Sequence, residues 1–105
     1  MMIKLEDLIK LSVEQLLNKN QFVIKYQEPR SGAKWICFQS YQSVIALYNP
    51  STARLLINWS KWDYSKTTLK HLKAFINEYT PFSYTTKADF YKFISSSACV
   101  VLFEE

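Results

Sequence analysis

The chain has 105 residues, of which 49% are hydrophobic and 21% charged, with one Gly and three Pro. This is the composition of a single globular domain over residues 1–105, and it excludes a disordered chain, a flexible linker or a low-complexity segment. The net charge of +4 suits an acidic partner and argues against an acidic surface that imitates DNA.

Residues 3–19 predict an amphipathic helix, with Leu5, Leu8, Ile9, Val13, Leu16 and Leu17 on one side and Lys4, Asp7, Lys10, Glu14 and Asn18 largely on the other. Ser12-Val13-Glu14-Gln15 reads as a capping box, so a break or a fresh helix start is expected near Ser12. Phe22 to Tyr26 then alternates with period two, Glu28 to Gly32 forms a turn, and Trp35 to Phe38 is the partner strand. Ser40-Tyr41-Gln42 interrupts the apolar pattern as a bend or bulge. Val44 to Tyr48 and Leu55 to Trp59 are two more strands around an Asn49-Pro50-Ser51-Thr52 turn.

Residues 65–79 make the clearest helix, capped by Ser65 or Thr67 and ended by Thr80-Pro81. A shorter helix is expected from Thr86 to Ile94, and a well-buried strand from Ala98 to Phe103. The expected fold class is therefore α+β: an antiparallel meander packed against two or three helices.

Ala98 to Phe103 is also the longest apolar run, far short of the roughly 18 residues that span a bilayer. Lys4, Glu6, Asp7 and Lys10 break the continuity that a signal peptide keeps. The expectation is a cytoplasmic protein with no membrane partner.

Catalytic chemistry finds little support. His71 is the only imidazole, and its position on the helix is that of a surface or boundary histidine. Cys37 and Cys99 fall in strands expected to be buried, where a thiol is inert. Two Cys and one His do not close a zinc site, the carboxylates are scattered, and one glycine cannot make a phosphate loop. The expectation is no enzyme, no catalytic residue, no metal and no cofactor.

The segment Trp59 to His71 joins a strand end to a helix start and holds two Trp, one Tyr, three Lys and four hydroxyl residues. Read as a surface, it nominates Trp62, Tyr64, Lys66, Lys70 and His71 as partner contacts. Read as structure, its rings fill the core, its hydroxyls cap the helix and its lysines are solvated. Both readings stand at this point.

Ser40-Tyr41, Ser43 to Ala46, Leu55 to Asn58, Lys61 to Leu72 and Phe75 together resemble a group of small uncharacterised proteins of bacteriophages and related mobile elements. Those proteins share a strand–strand–helix unit with a Trp-Asp/Asn-Tyr-Ser-x-Thr-Thr-x-Lys-His-Leu junction. The resemblance covers about two-fifths of the chain. It implies an accessory protein that binds a host protein or nucleoprotein complex without catalysis, as an inhibitor of a defence nuclease such as a CRISPR effector would. The alternative is a small basic protein that binds nucleic acid through the ridge carrying Lys66 and Lys70, and an enzyme built on His71 ranks last.

Overall fold

Ile9-Lys10-Leu11-Ser12-Val13-Glu14 alternates apolar and polar residues, and in the computed structural model, which describes residues 7–16 and 19–104, this stretch is a strand and not the expected helix. Strand β1 (Ile9–Gln15) pairs antiparallel with β2 (Gln21–Gln27). The stretch satisfies a helical and a strand period at once, and the backbone of β2 decides between them by offering a ladder of partners. The register slips between Lys10 and Ser12, so the discontinuity read as a second helix start is a bulge at Leu11. Residues 3–6, 17 and 18 of the expected helix lie outside the described residues.

The meander continues through β3 (Lys34–Ser40), β4 (Ser43–Asn49) and β5 (Arg54–Asn58). Gly32 closes the β2–β3 turn at φ +73, where its N–H donates to the Glu28 carbonyl at 2.9 Å. Asn49 organises the β4–β5 turn, its side-chain oxygen accepting from the Ser51 N–H at 2.9 Å and the Thr52 N–H at 3.3 Å. Two helices follow, α1 (Lys66–Tyr79) and α2 (Lys87–Ser96), and the chain returns as β6 (Val100–Phe103), parallel to β5. The sheet order is β1-β2-β3-β4-β5-β6. This is an α+β fold, one six-stranded and mostly antiparallel sheet with two helices among the described residues.

Both helices pack on one face of the sheet. Leu72, Phe75 and Ile76 of α1 and Phe90 and Ile94 of α2 close over Val23, Phe38, Ile45, Tyr48, Leu55 and Ile57. The other face carries a second buried cluster, including Tyr26, Trp35, Cys37 and Leu47. A register shift after Phe38 pairs Phe38 with Ala46 and Gln39 with Val44, so Ile45 is an extra residue and Ile45 and Ala46 both join the helix-side core. Past that bulge Ser40 pairs with Ser43 at the end of the hairpin, beside the start of α1.

Two expectations about the last strand do not hold. β6 is an edge with a neighbour on one side only, so Val101 and Leu102 are exposed instead of well buried. Cys99 precedes the strand and is exposed too, unlike Cys37, which is sealed in β3. Among the described residues no helix is long and apolar enough to cross a membrane.

Candidate binding groove at the start of the long helix

The junction from β5 to α1 folds because Asn58 gathers it. Its carbonyl accepts from the N–H groups of Lys61 at 3.2 Å and Trp62 at 3.0 Å. Its side-chain amide donates to the Val44 carbonyl at 2.8 Å, and its side-chain oxygen accepts from Ser60 at 3.1 Å. The chain turns tightly there, and the aromatic residues two positions apart go separate ways.

Trp62 turns inward and is 3% exposed, its ring 5.3 Å from Phe90 and 6.4 Å from Trp59. It seats α2 on the sheet. This corrects its reading as a partner contact, because a large ring at a helix–sheet crossing gains more by filling the core than by meeting water. Lys87 reinforces the arrangement, with its ammonium 5.8 Å from the Trp62 ring centre and 3.2 Å from the Asp63 carboxylate.

Tyr64 turns the other way and is 46% exposed. Its hydroxyl meets Ser40 at 3.1 Å, and Ser40 meets the Thr68 hydroxyl at 3.0 Å. Ser65 caps α1 by accepting from the Thr68 N–H at 3.0 Å and donates its own proton to the Thr68 hydroxyl at 2.9 Å. Four hydroxyls thus tie the start of α1 to the end of β3, and they hold a tyrosine that stays half-exposed.

On the opposite side stands Tyr41, the first residue of the two-residue β3–β4 loop. It has φ +56 and is 53% exposed. A bulky residue in the left-handed region is uncommon, and Gly or Asn is usual at such a position. Hydrogen bonds hold it there: the Tyr41 N–H donates to the Asn20 carbonyl at 2.6 Å, and the Gln39 side chain donates to the Tyr41 carbonyl at 2.9 Å.

Between these rings lies an open groove of about 510 Å³ lined by Tyr41, Ser43, Lys61, Tyr64, Ser65 and Thr67. The Lys61 ammonium is 6.0 Å from the centre of the Tyr64 ring. Rings, an amine and hydroxyls line the groove, and among the described residues no carboxylate joins them.

Of the residues nominated from sequence, only Tyr64 lines the groove. Lys66 sits between two lining residues at the first position of α1 and is exposed; Lys70 is exposed one turn further on. His71 is corrected: it is 6% exposed, with Nε2 lacking a hydrogen-bond partner. It lies three residues after Thr68, itself fully buried, and so on the inward side of the helix. Burial lowers its pKa, and the neighbouring Lys70 charge lowers it further. Among the described residues no three His, Cys, Asp or Glu side chains cluster so as to hold a metal ion.

Sequence reasoning did not nominate Tyr41 or Ser43. The signal was present as a short polar interruption between two apolar strands, but a hairpin loop does not say which helix its tip will face.

Residues 8–92 match the model of a family of unknown function, DUF8033, and the chain belongs to that family. No curated protein and no solved structure matches it.

Proposed function

We propose that this member of the DUF8033 family is a non-catalytic binding protein that engages an acidic macromolecule through the groove between the β3–β4 loop and the start of α1. The observation that carries the reading is the pairing of two half-exposed tyrosines with Lys61 in a groove whose described lining residues include no carboxylate. Exposed aromatic rings beside a cation are the usual anchors of macromolecular contacts. Lys66 and Lys70 extend positive charge from the groove along the exposed side of α1. Two features favour binding over turnover. The one imidazole is buried and outside the groove lining, and no His, Cys, Asp or Glu is among the described lining residues.

A capture experiment tests this. Tagged protein and a Lys61→Ala/Tyr64→Ala variant are incubated with the same lysate at moderate salt, and bound macromolecules are compared. The expected outcome is a partner held by the unaltered protein and lost by the variant. A set of bound partners identical for both removes the groove as the binding site.

A further inference from the structure

Resting on that reading, we infer that the acidic partner is single-stranded nucleic acid, bound with a base against the Tyr41 and Tyr64 rings and a backbone phosphate at Lys61. Three features of the groove separate this ligand from other acidic molecules.

The first is the aromatic surface. Tyr41 and Tyr64 line one groove and keep 53% and 46% of their surface exposed. A carboxylate-rich peptide offers nothing flat to place on a ring, whereas every unpaired base offers a π face. In a duplex those faces are already stacked on one another, so a ring-lined groove selects the unpaired strand.

The second is where the cation stands. Lys61 lies over the Tyr64 ring, its ammonium 6.0 Å from the ring centre, and so next to any base that meets that ring. A nucleotide carries its phosphate to the side of its base, joined through the sugar, and presents the same arrangement. The nearest acidic side chain in sequence, Asp63, is paired with Lys87 at 3.2 Å, and no salt bridge among the described residues engages Lys61. The hydroxyls of Ser43 and Thr67 on the lining can donate to phosphate or sugar oxygens.

The third is the backbone of Tyr41. Its φ of +56 is held by the Asn20 carbonyl and the Gln39 side chain. A two-residue loop has no structural need for tyrosine at that position. Residues held in such conformations gather at ligand clamps.

Recognition of this kind does not depend on base sequence. The chain has only two arginines, Arg30 in the β2–β3 turn and Arg54 at the start of β5, and neither lines the groove. The guanidinium fork, the side chain best shaped for bidentate base contacts, is therefore absent from its described lining. Stacking and lysine point charges remain, and both tolerate any base.

Fluorescence anisotropy tests the inference with dye-labelled thymidine and uridine oligomers of about 15 nucleotides, a duplex of equal length and a labelled poly-glutamate. The expected result is binding of both single strands in preference to the duplex and to poly-glutamate. Affinity should fall steeply between about 50 and 200 mM salt. Tyr41→Asn and Tyr64→Ala should each weaken it about ten-fold or more, and Tyr64→Phe, which keeps the ring but loses its bond to Ser40, should weaken it less than Tyr64→Ala. Lys61→Ala should flatten the salt slope by about 0.7. Single-strand binding that survives a Tyr41→Asn/Tyr64→Ala double variant, shown folded by circular dichroism, overturns the inference. Groove-dependent binding of poly-glutamate without the oligomers overturns it as well, while leaving the proposed acidic-partner function standing. Binding of no probe overturns both.

Discussion

The two ends of α1 are attached to the sheet by opposite means. At its C-terminal end the attachment is aromatic packing: Phe75 stacks on Phe38 with ring centres 5.8 Å apart, and Tyr79 lies 5.5 Å beyond it. At its N-terminal end the attachment is a set of hydroxyl bonds among Ser40, Tyr64, Ser65 and Thr68, all between 2.9 and 3.1 Å. Packing uses up the surfaces it joins. A hydroxyl network positions the helix through a few small atoms and leaves the Tyr64 ring and Lys61 facing outward. The same helix is therefore a structural beam at one end and the wall of a groove at the other.

If that contrast is right, damage at the packed end should be larger and leave binding intact. Phe75→Ala removes a ring that is 1% exposed and should cost about 3–5 kcal/mol, measured by urea unfolding. Material that remains folded should bind a groove ligand with unchanged affinity. At the other end Thr68→Val keeps the shape but deletes a hydroxyl bonded to Ser40 and Ser65. The expected cost is about 1–3 kcal/mol, accompanied by weaker ligand binding as Tyr64 and Ser65 lose their alignment. A Thr68→Val protein that is less stable than Phe75→Ala, or that binds as before, breaks the comparison.

The packed end was legible in the sequence and the polar end only in part. Leu69, Leu72, Ile76 and Tyr79 recur at helical spacing with Phe75 beside them, Ser65 or Thr67 is a credible cap, and Thr80-Pro81 stops the helix. Each signal is local, and each agrees with the α1 that forms, including Ser65 as the cap. Trp62 and Tyr64 are only two positions apart in one mixed segment, and their separation depends on Asn58 nearby and on Ser40, which is remote in sequence from both. The inward side of His71 is set by the angle at which α1 crosses the sheet. β1 failed for a different reason. Its residues fit both periods, and the choice lay with β2, which pairs with it across a bulge. Membership of a loop tip in a groove, as for Tyr41, is likewise a property of the assembled hairpin and helix.

Tyr41 supplies a smaller effect of opposite sign. Tyr41→Asn places at φ +56 a residue that tolerates the left-handed region, so the strain of the loop should fall and stability rise by about 1 kcal/mol. The same change removes one wall of the groove. A higher urea midpoint together with lost ligand binding is the expected pair of results. Destabilisation would mean that the tyrosine ring, and not only the loop backbone, holds the hairpin.

The finest distinction along α1 is in pH, because its first turns and its last respond at opposite extremes. His71 is held below its ordinary pKa of 6.5 by burial and by Lys70. As pH falls through 6.5 the unfolded chain takes up this proton before the folded one does, so the contribution of His71, present above that pH, is lost on acidification. Tyr79 is pushed from 10.0 up to about 12, first by burial and then by the bond from its hydroxyl to Glu14 at 3.1 Å, with the Glu78 and Glu14 charges adding to it. Here the unfolded chain loses the proton first, so stability present below pH 10 is lost as the pH rises toward 12. Urea midpoints across the pH range should therefore fall on both sides. His71→Phe should lessen the fall on the acid side between about pH 7 and 5, and Tyr79→Phe should lessen the fall on the alkaline side only in part, because burial also raises Tyr26 and Tyr84. Because His71 lies three residues after Thr68, the acid loss should be accompanied by weaker binding in the groove, and the alkaline onset at Tyr79 should not.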